Sequence, residues 1–167
     1  MSWIRKKKKY SRPKKPYDKA RIDEEKEIVK KYGLKNKREI WKADSAMGRI
    51  RGMAKKLITA SVEEQNKLIE KLRKEGFKVE KIADALALTK ENWLERRLQT
   101  VIFKKGLVKT AKEARQMITH RHVKVKGRIV NVPSYMINIG EENKIELAIK
   151  PKPIEEIKGV KEAKQNG

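Results

Sequence analysis

Between Thr110 and Val130 the spacing of apolar residues changes period. Ala111, Ala114, Met117 and Ile118 recur every three or four residues, and then Val123 and Val125 alternate with Lys124 and Lys126. The first pattern buries one stripe of a helix; the second buries one face of a strand. Upstream, Thr89 caps a helix whose Trp93, Leu94, Leu98, Val101 and Ile102 share a stripe that Gly106 ends. Thr110-x-x-Glu113 reads as a capping box opening the next helix. The link between them, Lys105 to Thr110, is short, so these helices must turn sharply. Gly127 marks a turn or bulge, and Ile129 and Val130 begin another strand, with VPSYMINI and NKIELAI as two more candidates. Two helices followed by a small sheet make an α+β architecture.

The chain before this region reads as helical. Residues 23–32 carry acids early and stop at Gly33, and Asn36 to Thr59 place Ile40, Ala43, Met47, Ile50, Ala54 and Leu57 on one face. Gly48 and Gly52 in that helix permit close approach of another helix or of a phosphate chain, and helix packing is the expected use. Ser61-x-x-Glu64 is a second capping box, opening a helix with Leu68, Ile69 and Leu72 inward and Gly76 at its end. A short helix is expected through Ile82, Leu86 and Leu88, and Trp41 is expected in the core. The predicted organisation is an arm over 1–21, a helical domain over 22–88, a second unit over 89–149 (core 95–137) and an extended tail over 150–167.

Charge narrows the partners. Lys and Arg total 45 against 22 Asp and Glu, a net +23. That self-repulsion favours a polyanion: nucleic acid or an anionic membrane surface. No run of about 18 apolar residues exists to span a membrane, and no apolar segment follows the N-terminal bases as a secretory signal requires. Residues 1–21 hold ten bases against Asp18 and residues 104–128 hold nine against Glu113, giving +9 and +8. The middle is close to balanced.

The arm, MSWIRKKKKYSRPKKPYDKAR, has two prolines and no apolar period, so alone it should be disordered. Arg5, Lys6, Lys7, Lys8, Arg12, Lys14 and Lys15 suit phosphates, and Tyr10 and Tyr17 among them suit stacking on unpaired bases. In the second unit, Lys109 and Thr110 precede a helix whose N-terminal amides can receive a phosphate. Lys112 and Arg115, three apart, share a face with Gln116 beside them, while Ala111, Ala114 and Ile118 face the preceding helix. Arg121, Lys124 and Arg128 continue that surface across the turn.

His120 and His122 invite a chemical reading that their surroundings do not support. There is no cysteine and no third histidine to complete a zinc site. No nucleophile elbow, Walker loop or dinucleotide fingerprint is present. No metal, no cofactor and no catalytic residue is expected, and one histidine is expected to close the helix before it.

The stretch ERRLQTVIFKKGLVKTAKEARQMITHRHVKVKGRIVNVPSY resembles the RNA-binding module named for ribosomal small-subunit protein four. Arg97-Leu98 opens the match; Gly106, Thr110, Ala114-Arg115-Gln116, His120 and His122 follow at the family's spacing, and Val125, Gly127, Val130 and Pro133-Ser134 complete it. Other proteins carry the module, including synthases and synthetases whose large catalytic domains have no room here. KKYSRPKKPYDKARIDEEKEIVKKYGLKNKREIWKA and LERRLQT are similar to archaeal and eukaryotic members of the ribosomal family itself. The resemblance covers about residues 5–150. It implies a non-enzymatic component of the small ribosomal subunit, in the cytoplasm, with no membrane partner. It implies that the chain binds a multi-helix junction in the 5′ domain of small-subunit rRNA early in assembly. It implies neighbours among the other small-subunit proteins and a position near the channel through which mRNA enters. The implied RNA contacts include Arg97, Lys105, Lys109, Thr110, Lys112, Arg115, Gln116, His120, Arg121, His122, Lys124 and Arg128. A stand-alone RNA chaperone or ribosome-rescue factor is the alternative. Two positions depart from the family: Arg121 stands where glycine is usual, and Lys126 where asparagine is. Glycine tolerates positive φ cheaply, so Arg121 leaves the geometry of that turn open.

Overall fold

The computed structural model describes residues 9–148. Helices α1 (Lys19–Tyr32), α2 (Lys37–Leu57), α3 (Val62–Lys74), α4 (Ile82–Ala87) and α5 (Lys90–Glu95) come first. They are followed by α6 (Leu98–Lys104), α7 (Ala111–Thr119), β1 (Val123–Val125), β2 (Arg128–Ile129), α8 (Ile139–Glu142) and β3 (Ile145–Leu147). The strands form one antiparallel sheet in the order β2-β1-β3, so the chain is α+β.

The long helix α2 is the spine of the first half. Its Met47, Ile50 and Ala54 pack with Leu68, Ile69 and Leu72 of α3 and with Phe77, Val79, Ala85 and Leu88. Toward its N-terminus, Ile40 and Ala43 pack with Ile28 and Tyr32 of α1, Leu34 and Leu94. A separate cluster joins Leu98, Val101 and Ile102 of α6 to Ala114 and Ile118 of α7 and to Val123, Val125, Ile137 and Ile145 around the sheet. The hydrophobic grouping therefore changes at Arg96–Arg97, and α5 belongs with the first half through Leu94 and Trp93. Trp41 is half-buried against the α1–α2 cluster, and its indole N–H donates to Glu25 Oε1 at 3.0 Å.

Four helix ends share one motif. After α1, α3 and α6 the chain turns left-handed at Gly33 (φ 58°), Gly76 (φ 89°) and Gly106 (φ 69°). At each end two backbone amides turn back to the last carbonyls, as Leu34 to Val29 and Gly33 to Lys30. After α7 the same motif forms: Arg121 N–H donates to Ile118 O (3.0 Å) and His122 N–H to Met117 O (2.9 Å). The residue that takes the left-handed conformation there is Arg121, at φ 64°. The turn therefore survives the loss of the family's glycine, at the steric cost an L-residue meets in that region. The β1–β2 loop places Lys126 and Gly127 at φ 52° and 75°, the two consecutive positive values of a two-residue hairpin turn.

Several expectations need correction. The helix expected from Thr89 to Lys105 is two helices, because Arg97 is extended (φ −73°, ψ 142°) and bridges Met136. VPSYMINI is not a strand beyond that single bridge. Proline lacks the N–H a ladder needs, and the segment's carbonyls are used elsewhere. Tyr135 O and Pro133 O accept from Leu98 and Gln99, the first amides of α6. Ser61 is the N-cap of α3, but its side chain makes no capping bond. Gly48 and Gly52 do not serve packing among the described helices, since a Cβ at either would meet no described residue within 4 Å. Nor is the whole arm without fixed structure: Arg21 donates to Lys15 O and Pro16 O at 3.0 Å, and Ser11 N–H donates to Ser45 Oγ at 3.2 Å.

Candidate nucleic-acid interface

Helix α7 is held by its apolar side. Ala111, Ala114 and Ile118 are buried, so Lys112 and Gln116, one turn apart, face outward. Thr110 Oγ1 accepts from Glu113 N–H at 3.1 Å, forming the predicted cap. The Glu113 carboxylate accepts in return from Lys109 N–H at 2.9 Å, so an acid already stands at this helix start. In β1, Val123 and Val125 point inward, which sends Lys124 to the opposite face of the sheet. Of the expected contacts in this unit, Lys105, Lys109, Thr110, Lys112, Gln116, His120, Arg121 and Arg128 are exposed, and Lys124 and His122 are half-exposed. Lys105 is partly engaged, its ammonium on Glu142 O. The His120 and His122 rings lie nearly parallel, at 11° and 6.2 Å between centroids. His120 is the C-cap residue of α7, and its backbone rather than its ring makes the closing bonds. Among the described residues no group of three or more His, Cys, Asp or Glu could hold a metal ion.

Two residues expected on the RNA surface are tied to a carboxylate of the protein itself. Arg97 is buried, and its Nη2 donates to Glu39 Oε2 at 2.5 Å. Arg115 spans the same carboxylate, with Nη2 3.1 Å from Oε1 and Nη1 3.3 Å from Oε2. Burial pushes the Glu39 carboxyl upward, but the hydrogen bonds and charges of Arg115 and Arg97 outweigh it and hold the pKa below its ordinary value. The pairing with Glu39 crosses 58 and 76 residues of sequence, which the local spacing of Lys112 and Arg115 gave no means of detecting. Next to it, buried Gln99 donates through Nε2 to Tyr32 O, Gly33 O and Ala111 O at 3.0, 3.0 and 2.8 Å. A Cβ on Gly33 would stand 2.9 Å from Ala111 C, so only glycine lets the α1 terminus seat against α7. This polar hub fixes the basic face of α7 relative to α2.

In the arm, Tyr17 is exposed (92 %), as are Arg12, Lys14 and Lys15. Tyr10 is half-buried, with its ring 6.2 Å from that of Trp41, so it is partly committed to the protein's own packing. Arg5, Lys6, Lys7 and Lys8 lie outside the described residues.

Sequence reasoning missed a third basic surface. The middle of the chain is not evenly balanced: α2 alone carries Lys37, Arg38, Lys42, Arg49, Arg51, Lys55 and Lys56 against Glu39 and Asp44, 7 − 2 = +5. Counting charge within the helix, rather than across the whole middle, finds it. A cleft of about 590 Å³ separates the start of α2 from α7, walled by Arg38, Lys42, Arg97 and Arg115 with Pro133 and Ser134.

Residues 96–143 match the family model described as the S4 domain. The chain is 44% identical over 144 residues to the small ribosomal subunit protein uS4 of Methanothermobacter thermautotrophicus, covering 83% of this chain and 84% of the relative. The protein of that name from Thermoplasma volcanium is 45% identical over 147 residues, covering 83% and 74%. That from Saccharolobus solfataricus is 44% identical over 146 residues, covering 83% and 81%. No described helix is long and apolar enough to cross a membrane.

Proposed function

Because the chain belongs to the small ribosomal subunit protein uS4 family, we propose that its α7–β1 surface grips small-subunit rRNA as a primary binder of the 5′ domain. At the coarser level the chain is a structural, non-enzymatic protein of the small subunit, in the ribosome of the cytoplasm, with an RNA-binding S4 domain. The observation that carries the finer reading is the division of labour across α7. Its apolar residues and Arg115 hold the fold, and Lys112, Gln116, Arg121, Lys124 and Arg128 remain outward for phosphate. Lys112 and Lys124 act as point charges, and the two arginines suit bidentate phosphate contacts. Arg12, Lys14, Lys15 and the N-terminal bases supply further neutralisation from the arm. Deep A-form grooves hide base edges, so such a surface selects RNA by shape.

We propose also that binding occurs early in subunit assembly, at a multi-helix junction, and that the bound protein lies near the channel where mRNA enters, beside other small-subunit proteins. If roughly eight phosphates are neutralised, log K falls with log[salt] at a slope of about −6 to −7. Filter binding of the protein to 5′-domain rRNA across a salt series measures it, and a slope near zero would sink the reading. Mass spectrometry of salt-washed small subunits should find near one copy per subunit. A substoichiometric protein that washes away would point to a chaperone instead.

A further inference from the structure

We infer that the outward face of α2 is a second RNA-backbone contact, separate from the α7–β1 surface. This rests on the rRNA binding proposed above and assigns it residues on an element outside the S4 domain match. The carrying observation is charge. Of the seven bases on α2, Lys37 pairs with Glu25 and Arg51 with Asp44. Arg38, Lys42, Arg49, Lys55 and Lys56 are exposed and have no ion-pair partner among the described residues. The acid Glu39 is already neutralised by two arginines. At 3.6 residues per turn, Arg38, Ser45, Arg49, Gly52 and Lys56 lie within about 30° of one line along the helix. That line is opposite the buried Ile40, Met47 and Ala54. The cations on that line are Arg38, Arg49 and Lys56, and the last two stand about 10 Å apart along the axis, a span that neighbouring phosphates of one strand reach.

The partner follows from that chemistry. Exposed, unpaired cations on one helix face fit a polyanion, and Gly48 and Gly52 leave the helix backbone bare beside Arg49 and Lys56. Glycine weakens a helix interior relative to alanine, and neither position relieves any internal crowding. The arm crosses α2 near its middle, through Ser11 on Ser45 and Tyr10 on Trp41. The stretch from Gly48 to Lys56 beyond that crossing is the open part of the face, where a sugar-phosphate chain meets backbone and the flanking cations reach its oxygens.

The test compares three double variants of the full chain on 5′-domain rRNA. Arg49→Gln with Lys56→Gln should make the salt slope about 1.4 to 1.8 less steep. Gly48→Gln with Gly52→Gln keeps the charge and favours the helix, yet should weaken binding at least fivefold while the denaturation midpoint holds or rises. Lys112→Glu with Lys124→Glu tests the α7–β1 surface. If the wild type shows a slope near zero, the proposed function itself falls. If the wild type and the α7–β1 variant behave as proposed but either α2 variant keeps wild-type slope and affinity, only the α2 assignment is overturned. It is equally overturned if the α2 variants bind naked rRNA normally and fail only to enter reconstituted subunits, because that face would then dock a protein.

Discussion

Replacing Glu39 by Gln removes one negative charge and almost no volume, yet it strips the counter-charge from two guanidinium groups. The Arg97 side chain is 5 % exposed and that of Glu39 is 14 %, whereas Arg115 is 25 % exposed. Breaking a buried ion pair by removing one partner costs about 3–5 kcal/mol, because the remaining charge stays desolvated. Arg115 has a route to water and Arg97 does not, which puts the expected loss at the lower end, about 3 kcal/mol. For a chain of this length that corresponds to a fall in Tm of roughly 6–12 °C. Urea denaturation followed by circular dichroism, with a thermal scan beside it, measures both. Adding Arg97→Met to Glu39→Gln removes the stranded charge and should recover part of the loss, so the two changes will be non-additive. A Glu39→Gln midpoint within about 0.5 kcal/mol of wild type, the range of an ordinary surface change, would refute the claim that this carboxylate locks α7 to α2.

The same contacts set an acid limit. Glu39 and Glu25 both have folded-state pKa values below the ordinary 4.5. For Glu25, burial acts upward and is outweighed by hydrogen bonds from Trp41, Arg21 and Lys37. Each carboxylate therefore contributes stability fully above about pH 4.5, and the contribution is lost as pH falls through the folded value. Denaturation midpoints from pH 6 to 3 should decline, and Glu39→Gln should flatten that decline. Gly76→Ala should cost about 2 kcal/mol or more by chemical denaturation, since φ is 89° and the new Cβ would stand 2.2 Å from Arg96 Cζ. That guanidinium bonds Glu75 O and Ile137 O and pairs with Glu142, so it is not free to move aside. Arg121→Gly should stabilise the isolated protein by about 0.5–1 kcal/mol, the left-handed penalty less the entropy glycine adds to the unfolded chain. It should also weaken RNA binding; a variant that binds as tightly as wild type would place Arg121 outside the contact. Arg115→Glu, a natural charge reversal to try beside Lys112→Glu, should unfold the α2–α7 junction by setting two carboxylates together, so its effect on RNA is not a clean readout.

Local patterns carry local facts. The period change after Ile118, the Thr110–Glu113 cap and the stops at Gly33, Gly76 and Gly106 were all legible, because each arises from contacts within a few residues of chain. So was the inward set of α2, since one helical stripe is buried whatever covers it. The net +23 also favoured a polyanionic partner, as folding cannot hide that charge. What it left undetermined were long-range competitions for polar groups. Arg97 and Arg115 match a basic, RNA-facing pattern, and only the folded chain brings Glu39 to them, burying Arg97 and tying down the half-exposed Arg115. VPSYMINI has strand composition, but the open amides at the start of α6 claim its carbonyls before a neighbouring strand can. Gly48 and Gly52 suit packing or exposure equally well as letters, and the folded chain settles it, because no described residue comes within 4 Å of a Cβ at either position. A side chain's partner depends on what the rest of the chain places within hydrogen-bond reach, and at these positions the deciding groups lie tens of residues away.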